Sequence, residues 1–265
     1  MVLVELLDKG NFRMTVYFIG AGPGDPELIT VKGQRLIREC PLVLYAGSLV
    51  PKEVILTANP TAEIVNTADL SLHEIIVRIR AAHEHELDVA RVHTGDPALY
   101  GAIGEQIREL EKLGIPYQVV PGVTATFAGA AMLRRELTLP TISQTLILTR
   151  HAGKTLMPKG ESLPELAQHR ATMAIYLSVN KLREIVAELI PHYGADCPVA
   201  VLHRVSWPDQ DGTVGTLADI ATKVEAKGFT RTALILVGRV IQPGGFPASY
   251  LYSAEHAKWY QRQSE

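Results

Sequence analysis

The sequence has few cysteines, little net charge and no strongly basic region. Its 265 residues include two cysteines, Cys40 and Cys197, which are far apart and form no C-x-x-C pair. This spacing supports neither a disulfide framework nor a zinc ribbon, so we expect a reducing compartment. The formal net charge of −2 argues against a broad nucleic-acid surface, which is usually strongly basic. Small molecules are therefore the expected partners, and nucleic acid is not.

Membrane segments and familiar catalytic motifs are also missing from the sequence. No stretch approaches the roughly 20 apolar residues that cross a bilayer, and the first residues lack the basic start of a signal peptide. We therefore expect a cytoplasmic protein without a membrane partner. The sequence contains no H-E-x-x-H pair, no supported set of metal ligands and no G-x-S-x-G elbow. It predicts no metal site, and it identifies no catalytic residue.

The order of apolar patterns predicts an α/β protein of two αβα domains. In the first half, strand patterns alternate with helical periodicity, which is typical of a mainly parallel sheet. The second half restarts at Thr145, and its loop from Ser206 to Thr213 resembles a hairpin, so its sheet is predicted to be mixed. The predicted divisions are an N-terminal extension (1–14), an N-terminal domain (15–138), a C-terminal domain (139–241) and a C-terminal tail (242–265).

Local signals predict two helices of the first half. A helix is expected over residues 28–39, directly after the first strand and its loop. A second helix is predicted after Ser71, because Glu74 stands three residues later, as in a capping box. Apolar residues then follow the helical period at Leu72, Ile75, Ile76 and Ile79.

Three predicted strands of the first half each end in a loop rich in glycine and proline. The loops are Gly20–Pro26, Thr94–Gly101 and Pro121–Thr126. Because parallel strands place their carboxyl ends at one edge of a sheet, we expect these loops to line a single crevice.

The first loop does not fit a nucleotide-phosphate site. Gly20 and Gly22 match the first two glycines of G-x-G-x-x-G, but the third position is Asp25, whose carboxylate would repel a pyrophosphate. Pro23 and Pro26 also remove backbone donors. A P-loop is excluded as well, because no Gly-Lys-Ser/Thr follows. A turn without a ligand stays an alternative for this loop.

Charged residues at loop positions are the other candidates for binding. Asp96 follows Gly95 at a strand end, where it is either a ligand-binding carboxylate or part of an Asx turn, and the position favours the ligand. Several cations of the second half would together suit a substrate with several carboxylates, although single exposed charges are the alternative. These cations are Arg150, Lys154, Lys159, Arg204 and Arg231.

The three loops give the sequence a resemblance to the tetrapyrrole methyltransferase family. The matching stretches are Tyr17–Pro26 with Leu28–Thr30, Gly95–Pro97 with Tyr100–Gly101, and Val120–Ala125. Members of this family use S-adenosylmethionine on a two-domain αβα fold. The resemblance therefore implies this cofactor, with S-adenosylhomocysteine as its product, in an interdomain cleft, and it implies a homodimer.

Further stretches resemble the branch of the family that methylates C11 of a precorrin in cobalamin biosynthesis. They are Val43–Val50, Leu148–Thr155 with Met157–Pro158, and Arg204–Gln210. The substrate implied is an anionic tetrapyrrole, and we assign Arg150 and Arg204 to its carboxylates. A cobalt-containing substrate, another macrocycle position such as in uroporphyrinogen III, a macromolecular substrate and a noncatalytic tetrapyrrole-binding protein stay open as alternatives.

The cofactor contacts implied by the resemblance lie on loops and strand ends of both domains. The Gly20–Pro26 loop is placed on the floor of the cleft, near the methyl-transfer centre. One residue departs from the family, since Thr94 stands where relatives often have a glycine. The expected cofactor-binding residues are Pro23, Thr94, Gly95, Asp96, Leu99, Thr124, Ala125, Leu177, Ala200 and Ala233.

Overall fold

A computed structural model describes residues 14–153 and 155–252. Most of the predicted N-terminal extension, Lys154 and residues 253–265 of the predicted tail lie outside the described residues. The chain divides into two compact units. The first unit ends at Ala125 and also includes Ser206–Pro208, while the second unit consists of Thr126–Val205 and the residues from Asp209 onward.

The first unit contains a five-stranded parallel sheet. Its strands are β1 (Val16–Gly20), β2 (Leu42–Tyr45), β3 (Glu63–Asn66), β4 (Val89–His93) and β5 (Tyr117–Val120). The strand order is β3-β2-β4-β1-β5, and every pairing is parallel. The helices of this unit are α1 (Val31–Glu39), α2 (Lys52–Ile55), α3 (Leu72–Glu84) and α4 (Ile103–Leu113).

Helices cover both faces of this sheet. Alternate strand residues point to opposite sides, and apolar side chains on each side pack against helices. On one face the sheet packs against α1 and α2, where Ile19 and Ile37 are fully buried. On the other face Phe18 packs with Ile79 of α3 and Leu110 of α4. The first unit is therefore a three-layer αβα structure, as predicted.

The local signals predicted α3 more accurately than α1. The Ser71 hydroxyl accepts a hydrogen bond from the backbone N–H of Glu74, and the Glu74 carboxylate accepts one from the backbone N–H of Ser71. This confirms the capping box. Helix α1 begins at Val31 rather than at residue 28, because Thr30 caps it and Pro26–Leu28 form a separate 3₁₀ turn.

The second unit contains a five-stranded mixed sheet. Its strands are β6 (Leu146–Arg150), β7 (Thr172–Tyr176), β8 (Pro198–His203), β9 (Asp211–Thr216) and β10 (Ala233–Val237), and its helices are α5 (Ala125–Leu133), α6 (Leu163–Ala167), α7 (Leu182–Tyr193) and α8 (Ile220–Lys227). The order is β6-β7-β10-β8-β9, and the pairing is parallel between β6 and β7 and antiparallel elsewhere. The predicted hairpin is the antiparallel β8–β9 pair.

Helix α5 packs on the second sheet and therefore belongs to the second unit. Gly129 of α5 lies so close to the sheet that a Cβ atom there would come within 2.9 Å of the Leu202 side chain. Helices α6, α7 and α8 cover the opposite face. The division between the units falls at Ala125, earlier than the predicted domain end at residue 138. Within the described ranges, no helix has the length and apolar character needed to cross a bilayer.

Candidate functional site

The neighbouring strands β1 and β4 mark the position where a ligand site is expected in the first unit. After β1 the chain passes through α1 to β2, and after β4 it passes through α4 to β5, on the opposite face of the sheet. Adjacent strands whose connections leave to opposite faces open a crevice at their carboxyl ends. The loops Gly20–Pro26 and Thr94–Gly101 begin at these ends.

Four glycines join the three loops through backbone contacts, and we call them the glycine junction: Gly20, Gly22, Gly95 and Gly122. The Gly95 N–H donates to the Gly22 carbonyl at 2.7 Å, and the Gly22 N–H donates to the Gly95 carbonyl at 3.3 Å. A Cβ atom on Gly20 would lie 2.6 Å from the Cα atom of Gly122. The glycines therefore allow the loops to pack on one another, and the predicted convergence of the loops is observed in the first unit.

Asp96 links the second loop to the third. Its Oδ1 atom accepts a hydrogen bond from the Ala98 N–H at 2.8 Å, and its Oδ2 atom accepts one from the Gly122 N–H at 2.9 Å. The first contact is the Asx turn considered from the sequence. In the part of the chain that the structure describes, no basic side chain pairs with this carboxylate. Among the described residues, its negative charge therefore has no protein counter-ion.

The other predicted cofactor residues of the first unit lie on the same three loops. Thr94 is exposed, and the half-buried Leu99 donates its backbone N–H to the Asp96 carbonyl at 3.1 Å. Thr124 and Ala125 are half-buried after β5. The structure brings seven predicted residues to one edge of the sheet, namely Pro23, Thr94, Gly95, Asp96, Leu99, Thr124 and Ala125.

Trp207 contacts the first loop, and the sequence did not predict this. Its indole N–H donates to the Pro23 carbonyl at 2.8 Å, and the neighbouring Ser206 hydroxyl accepts from the Asp25 N–H at 2.9 Å. A Cβ atom on Gly24 would lie 2.3 Å from the indole ring. The only sequence signal was a large aromatic residue in an otherwise polar turn.

The predicted cofactor residues of the second unit differ in their accessibility. Leu177 follows β7 with a positive φ of 56° and is 73% exposed. Ala233 is half-buried at the start of β10. Ala200 is 0% exposed in β8, between β9 and β10, so it presents no surface to a ligand in this structure. The cofactor roles of Leu177 and Ala233 stay predictions.

Arg150 and Arg204 each have partners in their own loops. The Arg150 guanidinium donates to the carbonyls of Thr155 at 3.1 Å and Leu156 at 3.4 Å. The Arg204 Nε atom donates to the Asp209 carboxylate at 2.7 Å. Both side chains therefore stabilise loops of the second unit, and their binding of substrate carboxylates stays a prediction.

Two buried basic residues of β4 lie directly before the second loop, and they were not predicted. Arg91 is 4% exposed and His93 is 3% exposed. Burial, and to a smaller extent the charge of Arg91, lowers the pKa of His93 to about 3. Burial also lowers the pKa of Arg91, to about 10. At pH 7 the imidazole is therefore neutral and the guanidinium is charged.

Replacing His93 with glutamine is expected to make folding less sensitive to acid. The pKa of His93 is about 3 in the folded protein, against an ordinary value of 6.5. The unfolded chain takes up the proton first, so the free energy of unfolding falls as the pH drops below the ordinary value. Between pH 7 and pH 5 we expect His93 to account for about 2 kcal/mol of this loss.

Urea denaturation at both pH values measures this effect, with the same substitution at the exposed His73 of α3 as the control. In His93→Gln the difference between the two pH values should shrink, and in the control it should not. Equal pH dependence in the His93 variant and the wild type would contradict the prediction.

The chain consists of a parallel αβα unit with glycine-rich loops at its carboxyl edge and a unit with a mixed sheet, and a family model identifies its class. The chain belongs to the tetrapyrrole methylase family. Residues 15–221 match the family described as Tetrapyrrole (Corrin/Porphyrin) Methylases. This range contains the glycine junction, Asp96 and both candidate arginines, and it confirms the family predicted from the sequence.

Individual relatives are similar over nearly the whole chain. The precorrin-4 C(11)-methyltransferase of Pseudomonas aeruginosa is 65% identical over 248 residues, which cover 94% of this chain and 99% of that protein. The structure of a cobalamin biosynthetic enzyme, cobalt precorrin-4 methyltransferase, matches with a TM-score of 0.85 at 41% identity, covering 90% of this chain and 100% of that chain.

A structure with a bound product of the cofactor is also similar. The uroporphyrin-III C-methyltransferase of Thermus thermophilus, complexed with S-adenosylhomocysteine, matches with a TM-score of 0.71 at 31% identity. The match covers 86% of this chain and 93% of that chain. These neighbours confirm the predicted fold class.

Proposed function

We propose that this protein transfers a methyl group from S-adenosylmethionine to C11 of precorrin-4, giving precorrin-5 in cobalamin biosynthesis. The observation that carries the proposal is the 65% identity to the Pseudomonas aeruginosa enzyme over nearly the full length of both chains. The substrate is an anionic tetrapyrrole, and the cobalt complex of precorrin-4 is the nearest alternative, supported by the match to the cobalt precorrin-4 enzyme.

The loops of the first unit fit S-adenosylmethionine. The Asp96 carboxylate has no ion-pair partner among the described residues, so it suits a ligand with a positive sulfonium and hydroxyl donors. The same charge would repel a phosphate. We assign cofactor binding to Pro23, Thr94, Gly95, Asp96, Leu99, Thr124 and Ala125, and, as the resemblance implies, to Leu177 and Ala233, but not to the fully buried Ala200.

The proposed chemistry requires orientation of the reactants more than activation by the protein. When bound, S-adenosylmethionine supplies a methyl group that its sulfonium has already made electrophilic. The glycine junction and Asp96 hold the loops in a fixed arrangement, which limits the motion of a ligand bound there. Alignment of two reactants can remove about 7–11 kcal/mol of an entropic barrier. We assign no catalytic base and include no metal in the proposal.

Transfer from labelled S-adenosylmethionine tests the function. The protein is incubated separately with precorrin-4, cobalt-precorrin-4 and uroporphyrinogen III, and the position of the new methyl group is determined by NMR. We expect labelled product methylated at C11 of precorrin-4. If methyl transfer occurs only to cobalt-precorrin-4, then cobalt-precorrin-4 is the substrate and the assignment of precorrin-4 is wrong. Binding of tetrapyrrole without transfer to any of them would instead support a noncatalytic binding protein.

Replacing Arg150 or Arg204 with alanine is expected to raise the KM for the tetrapyrrole about tenfold, because a guanidinium pairs with a carboxylate through charge-assisted hydrogen bonds. The affinity for S-adenosylhomocysteine should not change. Steady-state kinetics and calorimetry measure the two quantities. Arg183→Ala, which removes an exposed ion pair with Glu225, is a matched control.

A second variant separates substrate binding by Arg204 from its role in the loop. Asp209→Ala removes the carboxylate that accepts from the Arg204 Nε atom and leaves the guanidinium in place. We expect this variant to keep a KM near that of the wild type. If Asp209→Ala and Arg204→Ala raise the KM equally, Arg204 acts through the loop and the assignment to substrate is wrong.

The proposal also includes the assembly and location of the protein. We propose a homodimer, because the resemblance to the family implies one, in the cytoplasm and without a nucleic-acid or membrane partner. Light scattering of the purified protein is expected to give the mass of two chains. The mass of a single chain at micromolar concentration would contradict the dimer.

A further inference from the structure

Arg91 is a buried cation without a carboxylate partner among the described residues. Its Nε atom donates to the Gln106 Oε1 atom at 2.9 Å, and one terminal nitrogen donates to the Leu44 carbonyl at 3.2 Å. Removing a guanidinium from water is costly, and neutral oxygens compensate it less than a carboxylate would. The structure therefore retains a charged group at a position where burial of an apolar residue would cost less free energy.

Gln106 extends this contact to the end of the second loop. Its Nε2 atom donates to the Ala102 carbonyl at 3.1 Å. Because the amide oxygen accepts from Arg91, the amide nitrogen is directed toward Ala102. A continuous chain of hydrogen bonds thus runs from Leu44 of β2 through Arg91 and Gln106 to Ala102, and we call it the Arg91–Gln106 chain.

The segment held by this chain has a backbone conformation that its residues do not favour. Tyr100 and Ala102 have positive φ angles of 55° and 49°, in a region that residues other than glycine rarely adopt. Between them, Gly101 lies so close to Pro97 that a Cβ atom would come within 2.2 Å of its carbonyl oxygen. Tertiary contacts, rather than local preference, must therefore hold this turn.

We propose that Arg91 and Gln106 are positioning residues for cofactor binding, because they hold the Pro97–Ala102 turn and so fix Asp96 and Leu99 at the edge of the sheet. The inference rests on the proposed function, since it takes S-adenosylmethionine as the ligand of this loop. Arg91 and Gln106 are both buried, so they act through the loop rather than on the cofactor itself. Their loss should change cofactor affinity and leave the KM for the tetrapyrrole unaltered.

Calorimetry with S-adenosylhomocysteine tests the positioning role. Gln106→Leu removes both hydrogen bonds of Gln106 with little change in volume. We expect about fivefold weaker binding, the factor that corresponds to one hydrogen bond of typical net strength. Leu110→Val is the control, because Leu110 lies one turn later on α4, is fully buried and takes no part in the Arg91–Gln106 chain. It should lower the Tm without changing the affinity.

Gln106→Glu distinguishes positioning of the loop from a general contribution to stability. The carboxylate would pair with Arg91, which keeps it ionised, but it has no proton to donate to Ala102. We expect this variant to have a Tm equal to or above that of Gln106→Leu and yet to bind S-adenosylhomocysteine as weakly. Wild-type affinity in Gln106→Glu would overturn the positioning role.

The wild-type protein separates failure of this inference from failure of the proposed function. If the wild type binds S-adenosylhomocysteine and Gln106→Leu binds it equally well, the positioning role is wrong and the function stands. If the wild type binds it but methylates no tetrapyrrole, only the function is wrong. If the wild type does not bind it, both are wrong.

Discussion

Replacing Gly122 with alanine is expected to lower the free energy of unfolding by about 3 kcal/mol, the upper part of the usual range for overpacking. The new Cβ atom would lie 2.1 Å from the Gly95 carbonyl oxygen and 2.8 Å from the Gly20 Cα atom. Both are backbone atoms, so no rotation of a side chain relieves the contact, and the loops must separate. We therefore expect binding of S-adenosylhomocysteine to be lost together with stability. Urea denaturation and calorimetry measure the two effects.

Gly104→Ala provides the matched control for this substitution. Gly104 lies in the first turn of α4, and no atom would come within 4 Å of a Cβ atom there. Alanine is favoured over glycine in helices by roughly 0.5–1 kcal/mol, so this variant should be slightly more stable and should bind normally. A Gly122→Ala protein as stable as the wild type would show that the glycine junction is not tightly packed in solution.

The elements that the sequence predicted are those with strong local signals. Helix α3 has its capping box, and the buried strand β1 is an apolar run. Strand β3 was not predicted, because its residues Glu63–Asn66 are mostly exposed and have no apolar alternation. It forms at the edge of the sheet through backbone pairing with β2, which a local pattern does not reveal.

Local signals also predicted the three loops of the site. They did not predict the hydrogen bonds that join the loops to one another. Glycine and proline marked the three loops, and the parallel order of the strands brought them together. The contacts that fix them join residues far apart in the sequence: 26 positions separate Asp96 from Gly122, and 184 separate Pro23 from Trp207. A single sequence carries no periodic signal for such pairs.

Methyl transfer was predicted from the resemblance to a family and not from the composition of the sequence. The residues themselves indicated a ligand crevice and excluded phosphate motifs, and the order of three loop motifs indicated the family that the match over residues 15–221 confirms. The roles of Arg91 and Gln106 could not be predicted, because a buried arginine has the same sequence signal as an exposed one. Only the folded structure reveals its burial and its neutral partners.

Replacing Asp96 with alanine is expected to weaken binding of S-adenosylhomocysteine by roughly thirtyfold, which corresponds to about 2 kcal/mol. The variant loses two charge-assisted hydrogen bonds, and the Gly122 N–H loses its acceptor. It also loses the negative charge that we assign to the cofactor. Asp96→Asn keeps one oxygen that can accept a hydrogen bond, but its amide nitrogen would face the N–H of either Ala98 or Gly122. We expect the affinity of Asp96→Asn for S-adenosylhomocysteine, measured by calorimetry, to lie between those of Asp96→Ala and the wild type.

Asn66→Ala tests whether the link between loops, rather than a local turn, accounts for the effect. The Asn66 Oδ1 atom accepts from the Ala68 N–H at 3.0 Å, which is the same contact that Asp96 makes with Ala98. Asn66 stands at the end of β3 and has no hydrogen bond to another loop of the site among the described residues. Its replacement should leave the affinity unchanged. If Asp96→Ala also bound S-adenosylhomocysteine like the wild type, neither hydrogen bonds from the ligand's hydroxyl groups to this carboxylate nor the bridge to Gly122 would contribute to the cofactor site.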